Sequence, residues 1–350
     1  MVEQGMKTGL RKIKLRLISD QKHNSQIVTG FLMLNDKYDI EIHNEIQRNP
    51  KHAYVIPNIV ECEYLGKKIA YDTSDGYFDG IQDWVPKYDY YFKRSFSEER
   101  NTTLFAAEIR DRMFPLGFNY FVTCPGNPYG AVAKTWKSYA KMLMGRRENE
   151  YFTPEIFKYR DNYGQGVIFF TRLWKPEAYL TDEINAQREA INLMRIEILR
   201  KLKEEIGNVF FGGLYPGEFD MQMAPDLVVS KNLVRREKYL ELMHSCNIAI
   251  GSTGLHESIG WKTGEYVAAG KAIVNEQFRY EVPGNFCVGK NYLPFSSADE
   301  CVCNVKYLLE HPEETMRMQR RNREYYESYL APDTMIERTL HIAEEKLAQL

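Results

Sequence analysis

Residues 247–276, NIAIGSTGLHESIGWKTGEYVAAGKAIVNE, constrain the fold of this 350-residue chain more than any other stretch. The apolar run 248–250 is followed by a loop of small residues, a helical pattern over 263–269 and a second apolar run, 272–274. A strand, a loop, a helix and a strand in this order predict a βαβ unit, which belongs to a parallel sheet. Ligands of such sheets bind beyond the carboxyl ends of the strands, where helix N-termini can face phosphate.

Two carboxylates, Glu257 and Glu265, flank the predicted helix start. Eight helical residues at ~1.5 Å each span roughly 12 Å, about the length of a diphosphate with a sugar at each end. Carboxylates accept strong hydrogen bonds from hydroxyls, and the amides near Ile259 and Gly260 could face phosphate. A pair of glutamates at this spacing also arises by chance, and most helix glutamates only face solvent.

The rest of the chain repeats the pattern of strands and helices in two halves. Strands are predicted at 13–19, 40–42, 53–59, 68–71, 88–92 and 118–122, and then at 167–170, 209–211, 227–229, 248–250, 272–274 and 286–288. Alternating strands and helices predict an α/β fold with two Rossmann-like, doubly wound domains and further helices at the C-terminus. We expect domains over residues 1–150 and 151–331, with a terminal helix, 332–350, that packs back on the first domain.

Composition and charge exclude several function classes. The formal net charge of −2 argues against a nucleic-acid binder, and the irregular spacing of six cysteines favours reduced thiols over a zinc site. We expect no metal and no cofactor. No apolar run is long enough for a transmembrane helix, so a cytoplasmic protein is expected. The basic, aromatic pattern over 131–147 leaves open a peripheral contact with the inner membrane face, although an ordinary surface helix is more common.

Polar residues also follow strand ends in the first half. Asp72 and Asp75 come after one predicted strand, where they form a turn or meet a substrate hydroxyl. Lys93 and Arg94 follow the next, as surface charges or an anion site, and His23 lies in the loop after the first strand. We assign these five residues to the acceptor side.

Familiar phosphate and hydrolase motifs are missing from the sequence: G-x-G-x-x-G after the first strand, G-x-x-x-x-G-K-[ST], H-E-x-x-H and G-x-S-x-G. The small residues and carboxylates of 251–265 are therefore the main phosphate-site candidate. With its helix and strand at 239–250, this segment resembles the E-x7-E segment of retaining GT-B glycosyltransferases, the group 1 or family 4 set. Ser258 and Ile259 stand where that pattern has Gly-Phe, and residues 169–173 resemble its strand followed by G-R-L.

The resemblance implies a role for each matching residue. Glu265 would bind the ribose hydroxyls of a nucleotide-sugar, and Glu257 the transferred sugar. Arg172 would neutralise the diphosphate, with Lys175 or Lys262 as the second cation. The backbone of the small-residue loop would line the donor site at Gly254, Ser258, Ile259 and Gly260. Fixed cations and helix amides would stabilise the leaving diphosphate without a metal.

The sequence thus predicts a glycosyltransferase that moves a sugar from a nucleotide-sugar to a saccharide or lipid-linked acceptor in polysaccharide biosynthesis, with retention implied by the resemblance. The N-terminal domain would bind the acceptor and the C-terminal domain the donor. Two alternatives stay open: a nucleotide-sugar epimerase of the same fold, and a non-catalytic protein that binds nucleotide-sugar or glycan.

Overall fold

The structure is a computed structural model that describes residues 9–47, 56–130, 152–160 and 164–348. The chain forms two compact units. Unit 1 comprises residues 1–154 and 331–350, and unit 2 comprises residues 155–330. The chain thus leaves unit 1 for unit 2 and returns to it for its last segment.

The helices and strands have the following bounds. The strands are β1 (Arg11–Ser19), β2 (Tyr38–Gln47), β3 (Ile59–Tyr64), β4 (Lys67–Asp72), β5 (Tyr90–Lys93), β6 (Met113–Pro115), β7 (Gly166–Thr171), β8 (Phe210–Leu214), β9 (Cys246–Gly251), β10 (Ala272–Glu276) and β11 (Tyr292–Phe295). The helices are α1 (Ser25–Met33), α2 (Ile81–Trp84), α3 (Glu98–Leu104), α4 (Ala107–Arg110), α5 (Pro154–Phe157), α6 (Asp182–Ile206), α7 (Glu218–Met223), α8 (Arg236–Ser245), α9 (Trp261–Ala268), α10 (Ala298–Glu310), α11 (Pro312–Tyr325) and α12 (Pro332–Ala348).

Unit 1 is built on a six-stranded sheet with the order β2-β1-β3-β4-β5-β6. β3 runs antiparallel to both of its neighbours, while β1–β2, β4–β5 and β5–β6 are parallel pairs. A doubly wound domain is mostly parallel, and β3 is the strand of this sheet that departs from that pattern. The two-residue connection between β3 and β4 is a hairpin turn with Leu65 and Gly66 at positive φ, and a turn that short can only join antiparallel strands.

The terminal helix α12 packs against α1 within unit 1. A Cβ on Gly30 of α1 would lie 2.1 Å from the Pro332 carbonyl oxygen, so the two backbones approach closely where α12 begins. Further along α12, the Tyr71 hydroxyl bonds Thr339 at 2.8 Å, and Arg338 donates to the Leu116 carbonyl at 3.0 Å. Helix α12 is thus a structural part of unit 1.

The strand predicted at 118–122 is absent, although all of its side chains except that of Phe121 are buried. Its backbone groups are paired by side chains of α1 instead of a ladder. The Val122 carbonyl accepts from Ser25 and Thr29, and the Tyr120 amide donates to Gln26. Polar side chains on a helix have replaced the neighbouring strand that the pattern implied.

Unit 2 is built on a five-stranded sheet, order β11-β10-β9-β7-β8, in which every pair is parallel. Helices α6 and α10 cover one face with an apolar core that includes Leu199, Ile250 and Val302. The last strand is β11 at Tyr292–Phe295, not the predicted 286–288. The predicted α/β class, with two Rossmann-like halves and C-terminal helices, is confirmed.

No helix of the residues that the structure describes is both long and apolar enough to span a lipid bilayer. The basic segment 131–147, for which a membrane contact was predicted, lies outside the described residues.

Candidate functional site

The strand order of unit 2 singles out the gap between β7 and β9. The chain places β8 on one side of β7 and then returns to place β9 on the other. Ligands of open α/β sheets bind where the order reverses in this way, outside the carboxyl ends of the strands. Here those ends are Thr171, followed by Arg172, and Gly251, followed by Ser252.

Arg195 of α6 fastens these two strand ends together. Its guanidinium donates to the Arg172 carbonyl at 2.7 Å, the Ser252 hydroxyl at 3.0 Å and the Thr253 carbonyl at 3.1 Å. The residue is only 6% exposed, and burial lowers its pKa to about 10, so it stays charged at neutral pH. It therefore sets the position of Arg172 and of the loop after β9.

The loop from Ser252 to Gly260 is tightly folded. A Cβ on Gly251 would lie 1.8 Å from the Asn275 Oδ1, so any larger residue here would displace the buried Asn275 side chain. The Gly254 amide donates to the Ser258 carbonyl at 2.8 Å, which closes a short turn. Inside it, His256 and Glu257 both adopt positive φ, 57° and 60°. Such backbone costs roughly 1 kcal/mol or more per residue outside glycine, and strain of this kind clusters at functional sites.

An aromatic and cationic group lies at the ends of β7 and β8 and the start of α9. We call it the Tyr215 cluster; it consists of Arg172, Tyr215, Arg236, Tyr239, Lys262 and Glu265. Lys262 donates to the Tyr215 hydroxyl at 3.1 Å and stands 4.0 Å from the centre of the Tyr239 ring. The Arg172 guanidinium lies 5.6 Å from the centre of the Tyr215 ring. The structure thus brings Arg172 and Lys262, both predicted donor-side cations, to one tyrosine.

Glu265 joins the Tyr215 cluster from the buried side. Tyr239 donates to its Oε2 at 2.9 Å, and Arg236 pairs with its Oε1 at 3.0 Å. Glu265 is 5% exposed, and burial, followed by the neighbouring Glu265 carboxylate, raises the pKa of Tyr239 well above its usual value. Direct contact between Glu265 and a ribose, as predicted, would compete with these two bonds.

The other predicted donor-side residues have varied surroundings. Gly260 is the N-cap of α9, while Ser258 and Ile259 are buried beside it. The Ser258 amide donates to the Leu255 carbonyl at 3.1 Å and is not directed at a ligand. Lys175 lies in the exposed loop after β7, outside the Tyr215 cluster, and Arg188 donates to its carbonyl.

Glu257 lines a cavity of about 450 Å³ in unit 2. Its carboxylate lies 3.8 Å from the Arg279 guanidinium, and the loop around it is held by neighbours on both sides. Gln187 accepts from the His256 amide at 3.0 Å, and Tyr280 donates to the His256 carbonyl at 2.8 Å. The two predicted glutamates thus differ: Glu257 faces an open cavity, whereas Glu265 is enclosed.

The predicted acceptor-side residues of unit 1 fall into two groups. Asp72 and Lys93 form an ion pair at 2.8 Å with both side chains 0% exposed. Tyr91 and the Ser74 amide also donate to Asp72, so the pair has a structural role and no exposed atom to offer an acceptor.

The second group combines His23, Asp75 and Arg94. Arg94 lies 3.0 Å from the His23 Nδ1 and pairs with Asp75 at 2.5 Å. A guanidinium can only donate, so Nδ1 accepts and the His23 proton resides on Nε2. Burial, followed by the Arg94 charge, lowers the pKa of His23 to about 4. Among the described residues this is where the predicted acceptor-side groups meet.

The sequence analysis missed Tyr215, Arg195, Arg236 and Tyr239. Arg195 had a signal, because it lies four residues from Ile191 and Leu199 on the apolar side of the amphipathic helix. A cation at a core position of a helix needs buried partners. The sequence gives no such signal for Tyr215, which is one of 24 tyrosines and has no motif around it. In the described ranges, no group of three or more His, Cys, Asp or Glu side chains could hold a metal ion.

Structural comparison finds many chains with a similar arrangement, and three of them are described here. A putative UDP-N-acetylglucosamine 2-epimerase from Listeria monocytogenes is 11% identical over 96% of this chain and 98% of its own, with a TM-score of 0.44. A TarM variant of S. aureus, solved with fondaparinux, α-GlcNAc-glycerol and UDP, is 12% identical over 75% of this chain, with a TM-score of 0.42. HepE of Anabaena, in complex with UDP and glucose, is 15% identical over 77% of this chain and 65% of its own, with a TM-score of 0.39.

This chain spans only 45% of the TarM chain. Because every TM-score quoted lies below 0.5, these likenesses decide nothing about its function. No curated protein matches the sequence.

Comparison with sequence families gives a clearer indication than these structural similarities. Residues 194–340 match the model of a family described as glycosyl transferase-like. The matched range covers β8 to α11 and most of α12, and it contains Tyr215, Glu257, Lys262 and Glu265. The matched range is less than half of the chain, and over that range the chain is similar to the glycosyl transferase-like family, in agreement with the predicted resemblance.

Proposed function

We propose that this chain transfers a sugar from a nucleotide-sugar donor to a saccharide or lipid-linked acceptor, and that unit 2 binds the donor. The observation that carries the proposal is the charge of the Tyr215 cluster. It has three cations, Arg172, Arg236 and Lys262, against one carboxylate, Glu265. Arg172 follows the carboxyl end of β7, and Lys262 and Arg236 lie in the first turns of α9 and α8. Anionic ligands of this fold class bind beyond the carboxyl ends of parallel strands and at helix N-termini.

The position of Lys262 strengthens the proposal. Lys262 is the second residue of α9, beside the positive end of the helix dipole. A cation there is unfavourable by about 0.3–1 kcal/mol unless an anion offsets it. A diphosphate would supply that anion, because its oxygens could accept bonds from Lys262 and Arg172 together.

The chemistry follows from the same geometry. Cleavage of a sugar–phosphate bond leaves positive charge on the anomeric carbon and adds a second negative charge to the terminal phosphate of the departing diphosphate. Arg172 and Lys262 would stabilise the diphosphate, and Arg195 would hold Arg172 in position through its backbone. Glu265 would act indirectly by fixing Arg236 and Tyr239. Glu257, which faces the cavity, would meet the sugar.

Retention of the anomeric configuration, a role in polysaccharide biosynthesis and catalysis without a metal complete the proposal. These three points are supported only by the sequence resemblance of 251–265. The anomeric proton of the product, followed by NMR, tests retention, and activity in the presence of a chelator tests the third point.

Calorimetry of the full chain with UDP, GDP, ADP, dTDP and CMP tests the donor site. At least one nucleotide should bind, and Arg172→Ala or Lys262→Ala should weaken its affinity at least tenfold, or about 1.4 kcal/mol. Arg200→Ala is the matched control, since Arg200 is an exposed cation of unit 2 that pairs with Asp226. Unchanged affinity in both cluster variants would refute the proposed site.

Turnover separates the alternatives. Release of nucleoside diphosphate together with a glycosylated acceptor supports transfer. Interconversion of the nucleotide-sugar without an acceptor would mean an epimerase, and binding without turnover on any acceptor would mean a non-catalytic protein.

A further inference from the structure

The cavity beside Glu257 has the size of a ligand site. Its volume of about 450 Å³ lies within the ~300–1,000 Å³ typical of small-molecule pockets. It lies between α6, the loop after β9, the ends of β10 and β11, and the start of α10. Thr253 lines the cavity and is also held by Arg195, which links it to the strand end that carries Arg172.

The charged residues that line the cavity are three carboxylates, Glu257, Glu276 and Glu300, and one cation, Arg279. Two of the carboxylates are fixed by their own bonds. Glu276 accepts from the Thr253 amide at 2.6 Å. Glu300 accepts from the Ser296 amide and hydroxyl, each at 2.7 Å, and these bonds lower its pKa. Glu300 is therefore ionised at neutral pH.

The apolar part of the lining consists of Ala190, Ile191, Met194, Pro294 and Phe295. A ligand with hydroxyls on its edges and C–H groups on its faces matches this mixed lining, because carboxylates accept from hydroxyls and apolar side chains cover the C–H face. The three glutamates do not converge on a point, since no described group of such side chains could hold a metal ion. The spread of the acceptors favours a polyol the size of a sugar over a cation.

We propose that this cavity receives the sugar of the donor and selects a neutral or amine-bearing sugar against one that carries a carboxylate. The inference rests on the proposed function. An added carboxylate would meet three glutamate carboxylates, two of them held by hydrogen bonds, and one exposed arginine that already lies near Glu257. Like charges at close range in a partly enclosed site repel strongly, whereas a hydroxyl in the same place would donate a hydrogen bond.

Matched donor pairs test the preference. UDP-glucose and UDP-glucuronate differ only in CH₂OH against COO⁻ at C6, as do GDP-mannose and GDP-mannuronate. We expect the carboxylate member to bind the full chain at least tenfold more weakly, with each affinity referred to that of the nucleoside diphosphate alone. Glu276→Gln and Glu300→Gln each remove a negative charge and keep one acceptor oxygen. Each should reduce the affinity ratio between the neutral and the carboxylate sugar at least threefold. Glu310→Gln, at the far end of α10, should leave it unchanged.

The outcomes separate this inference from the proposed function. Tight binding of nucleotides with equal affinity for both members of a pair would overturn the sugar preference and leave the donor site standing. If nucleotides fail to bind, methyl glucoside and methyl glucuronide are compared by saturation-transfer NMR. Preference for the neutral sugar would then support a sugar site in the cavity, whereas the proposed nucleotide site would be refuted. Equal or reversed preference would overturn the inference.

Discussion

The charged side chains near the strand ends of the two units are neutralised in different ways. In unit 1, Asp72 at the end of β4 and Lys93 at the end of β5 neutralise each other at 2.8 Å, and neither has an exposed atom. In unit 2, Arg172 and Lys262 contact aromatic rings and a phenol among the described residues. Both arrangements occupy the edge of the sheet where ligands of α/β domains usually bind.

The difference teaches that position at a strand end does not by itself make a charged residue functional. A buried pair satisfies its charges internally and fastens two strands together. Cations that rest on aromatic rings keep their charge available, because the attraction of a ring is weaker than that of a carboxylate and leaves N–H donors for an anion. In unit 1, the group of His23, Asp75 and Arg94 follows neither arrangement, since the buried Arg94 is paired with Asp75 while Asp75 remains 39% exposed.

Removal of one cation from each unit is the strongest test of this difference, because the two variants should lose very different amounts of stability. Lys93→Met leaves the Asp72 carboxylate buried and unpaired, which should lower the free energy of unfolding by about 3–5 kcal/mol. Lys262→Met removes a half-buried cation whose contacts with Tyr215 and Tyr239 are partly offset by its unfavourable place at a helix start, so the loss should stay below about 2 kcal/mol. Urea denaturation measures both, and hydrogen exchange of peptides locates the loss within unit 1.

The double variant Asp72→Asn with Lys93→Met is the control for the pair. It removes both charges, so its loss should be well below that of Lys93→Met alone. Equal losses for Lys93→Met and Lys262→Met would mean that the cations of both units have the same structural role.

Substitution of Arg195 should cause the next largest loss of stability. Arg195→Met leaves the Arg172 and Thr253 carbonyls without their buried donor and should cost about 2–4 kcal/mol. It should also weaken nucleotide affinity, because Arg172 and the loop after β9 would lose their common support. Arg200→Met, on the exposed side of the same helix, should cost less than about 1 kcal/mol. Full nucleotide affinity in Arg195→Met would show that Arg195 does not position the site.

The two buried histidines predict how stability depends on pH. Burial lowers the pKa of His23 and of His244 to about 4, from an ordinary value of 6.5. Between these values the unfolded chain binds protons that the folded chain does not, so stability is highest above about pH 6.5 and falls as the pH drops towards 4. Each histidine should contribute on the order of 2–3 kcal/mol to this loss.

Variants assign the loss to each unit. His23→Asn keeps an acceptor for Arg94, and His244→Gln keeps a donor for the Ile156 carbonyl. Each should flatten the slope of unfolding free energy between pH 4.5 and 7, while His341→Gln, on the exposed side of α12, should not. Arg94→Gln should act on the His23 contribution alone, because His244 belongs to the other unit. An unchanged slope in both buried-histidine variants would contradict the prediction.

Sequence alone predicts the framework of the site well, because its signals are local. The βαβ pattern of 247–276 became β9, α9 and β10 at nearly the predicted places, since buried parallel strands are continuous apolar runs bounded by glycine. The same reasoning failed at 118–122, where side chains of α1 pair the backbone in place of a strand. A local apolar pattern records burial and does not record which groups satisfy the backbone.

The contacts within the site could not be derived in the same way. That Asp72 and Lys93 pair with each other follows from the parallel register of β4 and β5, which places Asp72 opposite Lys93. That Lys262 meets Tyr215 depends on α9 and β8, which are 47 positions apart at these residues and joined only by the fold. Residue types at strand ends therefore predict candidates, and the tertiary structure separates those that neutralise one another from those that remain available.

The smallest predicted effect concerns the ring that supports the two cations. Tyr215→Phe removes the hydroxyl that accepts from Lys262 but keeps the ring under Arg172, so it should cost about 0.5–1.5 kcal/mol of stability. Tyr215→Leu removes the ring as well, and each lost cation–π contact should cost a further ~0.5–1 kcal/mol. Urea denaturation measures stability, and calorimetry with the nucleotide that binds measures affinity. If the ring positions the cations for an anion, Tyr215→Leu should weaken that affinity clearly more than Tyr215→Phe, whereas equal affinities would mean that Arg172 and Lys262 do not depend on Tyr215 for their position.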